Sequence, residues 1–173
     1  MGFFVPVLTR SRAPERVIRL LPVAALGGGL LVVLHFAAPA ALVRIDLVAA
    51  ALLLVAALML GWVVQRARVA IGPAHPGLYW YAAALACLVL ALAAIVLTPW
   101  LGGERALLRT LHLHLNTLGF VAITAVGTLQ VLMPTVAGAP DPDAARRLRL
   151  DLPWALTGTL LVALAGIDAK LAW

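Results

Sequence analysis

The sequence predicts an all-α membrane protein, a bundle of about five transmembrane helices. Two observations carry that reading. Of the 173 residues, 64% are hydrophobic and only 12% are charged, whereas soluble domains run near ~25% charged. The apolar residues are gathered into five long stretches, each close to the ~20 residues that a bilayer crossing needs. Little chain is left over for a soluble domain.

Residues 1–16 read as an interfacial N-terminal segment, and residues 17–173 as the transmembrane domain. The lead shows no small-residue cleavage site after an apolar core, so it is expected to stay attached. The first span covers about residues 17–37. It contains Gly27-Gly28-Gly29, where another helix or a flat ligand can come close. His35 falls in its last turn, and Pro39 follows as a stop. The second span covers about 41–64 and closes at Gln65, Arg66 and Arg68. Gly72-Pro-Ala-His75-Pro-Gly77 has turn chemistry, with His75 expected in solvent.

The third span covers about 78–97. Tyr79-Trp80-Tyr81 open it and Pro99-Trp100 close it, aromatics expected at headgroup level. The fourth covers about 107–136 and is the most polar inside, with His112, His114, Asn116, Thr124 and Gln130 among its members. The fifth covers about 153–172. Asp151 is expected as its cap and Pro153 in its first turn. Asp168 and Lys170 near its end are expected to face headgroups. Gln130 and Thr124 are expected to bond between helices.

Charge orients the bundle. Of the 13 Lys and Arg, Arg10, Arg12, Arg16, Arg19, Arg66, Arg68, Arg146, Arg147 and Arg149 fall on one side. Arg44, Arg105, Arg109 and Lys170 fall on the other. The first side should be cytoplasmic, with the N-terminus inside and the C-terminus outside. The net charge of +6 then fits a bacterial inner membrane with anionic headgroups. No basic face with aromatic platforms exists for nucleic acid. The single Cys87 lies in an apolar run and reads as a packing residue. No nucleotide loop, catalytic triad or carboxylate pair is present, so no catalytic residue is assigned.

Intramembrane histidines are functional candidates by default. His112 and His114 stand two apart, about 200° around a helix. They face nearly opposite flanks and suit two partners better than one ion, since helix-borne zinc sites use i, i+4 spacing. The orientation puts His35 at a similar depth. Asn116, at i+4 from His112, is placed to orient that ring. The interfacial alternative has these rings bonding water or carbonyls at a helix end.

The stretch from His112 to Gly138 resembles the tenth helix of subunit I of the haem-copper oxidase superfamily. It also resembles short stand-alone membrane proteins of that superfamily and membrane domains fused to some bacterial copper oxidases. The match rests on His112-Leu-His114-Leu-Asn116 with Gly119, then Gly127, and Leu132-Met-Pro134-Thr135 before Gly138. In that family one histidine of the pair ligates a low-spin haem and the other a high-spin haem on the opposite side. The resemblance implies haem b held by His112 or His114, with His35 or a histidine of a second copy opposite, and Gly28 where the macrocycle packs. Electron transfer or haem or gas sensing would follow, within a homo-oligomer or membrane complex and with a redox partner on the outer side. The copper centre is missing from the pattern: there is no neighbouring His-His pair and no His-x-x-x-Tyr. A complete oxygen-reducing enzyme is not expected from this chain. Two alternatives remain at this stage. One is a copper-binding or copper-oxidase-associated subunit using His112, His114 and His35; the other is a cofactor-free structural subunit.

Overall fold

The computed structural model describes residues 4–10, 14–37, 44–139 and 141–165. Every regular element among them is helical. Helix α1 is Phe4–Thr9, α2 is Glu15–Ala37, α3 is Ile45–Arg68 and α4 is Gly77–Leu97. After a 3-10 turn, Gly102–Glu104, one continuous rod runs from Arg105 to Val136. It comprises α5 (Arg105–His114), a π-helical segment (Leu115–Ala122) and α6 (Ile123–Val136). Helix α7 is Ala144–Ala165. Five helices, α2, α3, α4, the α5–α6 rod and α7, are long and apolar enough to cross a membrane.

The bundle is organised around α4. It packs against α3, against all three parts of the rod, and against α7. Its inner positions include Ala84, Cys87, Ala91 and Ala94, small enough for backbones to approach. The rod meets that face with glycines. A Cβ added to Gly119 would stand 2.5 Å from Cys87 Cβ, and one added to Gly127 would stand 2.7 Å from Trp80 Cβ. Neither position has room for a side chain, so the rod and α4 sit as close as backbones allow.

Helix α2 is the outlier. Among the described residues it packs on α3 alone. Gly28 makes that contact possible, because a Cβ there would collide with Leu52 of α3, whereas Gly27 and Gly29 face open space. Most of the large side chains on the rest of α2, from Leu20 to Phe36, are exposed and available to lipid.

Some boundaries differ from the sequence reading. Helix α7 begins at Ala144, so Asp151 and Pro153 lie inside it rather than at its start. The helix extends beyond the apolar stretch and carries Arg146, Arg147 and Arg149 in its first turns. Proline removes one backbone donor, but a helix held by neighbouring spans tolerates that loss. Asp151 accepts a hydrogen bond from Gln130 Nε2 at 3.2 Å, which joins α7 to α6. Thr124 Oγ1 is buried and makes no hydrogen bond.

Trp80 and Tyr81 are buried, and only Tyr79 of the aromatic cluster is exposed. Helical rotation turns the first two inward, where each needs a polar partner. Trp80 Nε1 donates to Leu148 O at 2.8 Å. Tyr81 Oη meets Thr128 Oγ1 at 2.9 Å, while the Thr128 hydroxyl donates to Thr124 O at 2.7 Å. A hydroxyl has one proton, so Tyr81 is the donor in the first bond. The N-terminal α1 caps this end of the bundle, with Val5 and Thr9 buried against it. Arg12, Pro39, Asp168, Lys170, the start expected for the second span and the end expected for the fifth lie outside the described residues.

Candidate functional site: an anchored histidine pair

Both histidines of the pair lie in the regular α-helical part of the rod, before the π segment starts at Leu115. The 200° separation expected of them therefore applies. Each ring is partly buried.

Their hydrogen bonds define what each ring can do. His112 Nδ1 lies 2.9 Å from Ala91 O of α4. His114 Nδ1 lies 3.0 Å from Thr110 O, one turn back on its own helix. A carbonyl has no proton to give, so in both rings Nδ1–H is the donor. The neutral ring then has its lone pair on Nε2. That nitrogen is the one left free in both rings, and it is the atom an imidazole uses to bind a metal. A backbone carbonyl on the opposite nitrogen holds the ring angle and raises the basicity of the ligand.

The His112 contact lies within α4 rather than at its end. Ala91 stands six residues before the end of α4 at Leu97, about 9 Å by helix rise. The π segment follows at once. Such segments are rare and recur at functional sites, and this one carries Asn116 and Gly119. Asn116 makes no hydrogen bond to His112; the Ala91 carbonyl orients that ring instead. Nothing in the side-chain pattern marks Ala91 or Thr110, since each contributes only its backbone oxygen.

The other expected site residues are elsewhere. His35, in the last turn of α2, sits edge-on to Phe36 with ring centroids 5.1 Å apart. Helix α2 makes no contact with α5 among the described residues, so His35 is not brought beside the pair. Gly28 faces Leu52, which is the helix-packing use of the triplet. No group of three or more His, Cys, Asp or Glu that could hold a metal ion occurs among the described residues. The arrangement of His112, His114 and His35 around one copper ion is not assembled within the chain.

The fourth histidine is at the opposite end. His75 precedes α4, and its Nδ1 accepts the Gly77 N–H at 3.1 Å. It satisfies one of the orphan donors of a helix start. Burial, with the nearby Arg149, pushes its pKa below the usual histidine value. The sequence reading placed it in solvent; the helix start it caps draws it in.

Comparison with known proteins adds one finding. Two cytochrome c oxidase subunit 1 sequences of Thermus thermophilus are each 39% identical to this chain over 57 residues, 33% of its length. The shared stretch covers 45% of one relative and 9% of the other, so the chain spans only part of each. No family model and no solved structure matches. The similarity supports a distant relationship to haem-copper oxidase subunit I.

Proposed function

We propose that this chain is a haem-b-binding integral membrane protein, haem-copper oxidase-like, that serves in electron transfer or in haem or gas sensing. The carrying observation is the anchoring of His112 and His114 through Nδ1, which leaves two Nε2 lone pairs on opposite flanks of one membrane helix. The donor set fits iron porphyrin, for which imidazole nitrogen is a common axial ligand. The similarity to subunit I of an oxidase supports the same reading.

When bound, the porphyrin iron supplies one-electron chemistry or a gas-binding position. The chain's own residues do the rest. His112 or His114 offers Nε2. The carbonyls of Ala91 and Thr110 hold the rings and keep the Nδ1 protons. Gly119 keeps α4 close enough for the Ala91 contact. With α2 packed away from α5, a second histidine for the haem would come from another copy in a homo-oligomer. A haem held by one histidine of this chain alone would be able to take a gas. With the orientation expected from the positive-inside rule, this pair would lie near the outer face, where a redox partner would meet it.

The test is an oxidised and reduced optical spectrum of the purified chain, produced with haem available. A Soret band that moves on reduction, at a fixed ratio to protein, is expected. A preparation that stays colourless under those conditions overturns the reading.

A further inference from the structure

At the arginine-rich end, three distant parts of the chain enclose a cavity of about 360 Å³. Leu8 and Arg10 come from the end of α1, Pro73 to Pro76 from the loop before α4, and Arg149 from α7. The lining includes Arg10, Arg149 and His75, and no acidic residue. Neither Arg10 nor Arg149 makes an ion pair or side-chain hydrogen bond among the described residues.

Arg19, Arg44 and Arg147, by contrast, each have an acidic partner close by. Like charges gathered in a concave, partly apolar site repel one another unless an anion joins them. Arg10 is also the only non-glycine residue with positive φ among those described, at 52°, a conformation uncommon outside glycine. The turn it makes, with its N–H bonded to Val7 O at 3.2 Å, ends α1 at the cavity's edge.

We infer that this cavity binds an anionic phosphate group, held between the Arg10 and Arg149 guanidinium groups at the base of α1. The planar fork of arginine suits phosphate oxygens. The group belongs either to an anionic lipid headgroup or to free phosphate. The site is separate from the histidine pair and does not depend on haem.

The test uses the full chain in a neutral detergent, with thermal unfolding followed during titration. Three probes are added separately: phosphatidylglycerol in mixed micelles, phosphatidylcholine in the same micelles, and inorganic phosphate. A ligand that binds the folded chain raises its unfolding temperature in a saturable way. Phosphatidylglycerol acting alone identifies a lipid headgroup, and inorganic phosphate acting as well identifies a free phosphate group. Phosphatidylcholine should do neither. The R10A/R149A double variant should need on the order of tenfold more probe or higher, the loss expected for a charge-assisted hydrogen bond. The R105A/R109A variant loses the same charge at the other end of the bundle and should respond like the parent. Both cavity arginines are exposed, so folding should survive; R149Q alone serves if the double variant does not accumulate. Equal responses from the two double variants, or no saturable response in the parent, overturn the inference.

Discussion

At one end of the bundle, two imidazoles give their Nδ1 protons to the carbonyls of Ala91 and Thr110. At the other, His75 uses the same atom to receive the Gly77 N–H. The difference lies wholly in the backbone group each ring meets. A carbonyl leaves Nε2 with a lone pair, free for a metal. An N–H leaves Nε2 carrying the proton, with no lone pair to offer. One residue type thus becomes a candidate ligand at one end and a helix cap at the other.

Substitution should break this contrast most strongly at the pair. His112→Ala or His114→Ala should remove or severely weaken the haem band, by at least the ~10–100-fold typical of losing even a supporting group. His75→Ala should keep the band at full height. Absorbance per mole of purified protein is the readout. Loss of the band in the His75 variant alone would reverse the assignment of the two ends.

The next largest effect is on packing beneath the pair. Gly119→Leu would drive a side chain into Cys87, which lies on α4 one turn before Ala91. Overpacking of that kind costs about 1–3 kcal/mol, and here it also pulls His112 from its carbonyl. Gly27→Leu, with nothing within 4 Å of the added Cβ, should be close to neutral. Thermal unfolding in detergent compares the two.

The His75 end should respond to pH. Burial and Arg149 lower its pKa in the fold, so the folded chain resists protonation more than the unfolded one. The stability its cap supplies is complete above the ordinary histidine value of about 6.5. It is lost as pH falls through the lower folded-state pKa, because a protonated Nδ1 cannot accept from Gly77. The cap should be worth about 1 kcal/mol. The stability difference between the parent and His75→Ala should shrink on acidification. A difference that grows instead would contradict the tautomer. Smallest of all, Tyr81→Phe should cost about 0.6 kcal/mol, since Thr128 keeps its own bond to Thr124 O.

Much of this was legible in advance. Hydropathy marks the apolar stretches of the five spans, because a helix must be apolar for ~20 residues to cross lipid. The opposed faces of His112 and His114 follow from helix rotation. The anchoring does not: Ala91 is 21 positions from His112, and a carbonyl leaves no trace in a side-chain pattern. The π segment is equally silent, since Leu115 to Ala122 contains ordinary helix residues. The start of α7 was misplaced because Pro153 mimics a first-turn signal, while the helix continues into Arg146 and Arg147 beyond the apolar stretch. Gly28 shows the limit of a glycine triplet: it marks a close approach without saying whether helix or ligand arrives, and Leu52 occupies the space.

The most direct measurement is ¹⁵N solid-state NMR of histidine-labelled chain in lipid at neutral pH, before and after haem is added. The account predicts protons on Nδ1 of His112 and His114, with their bare Nε2 signals shifting on haem addition. His75 should carry its proton on Nε2 and stay unmoved. Nε2-protonated rings at positions 112 and 114, or signals there indifferent to haem, would contradict it.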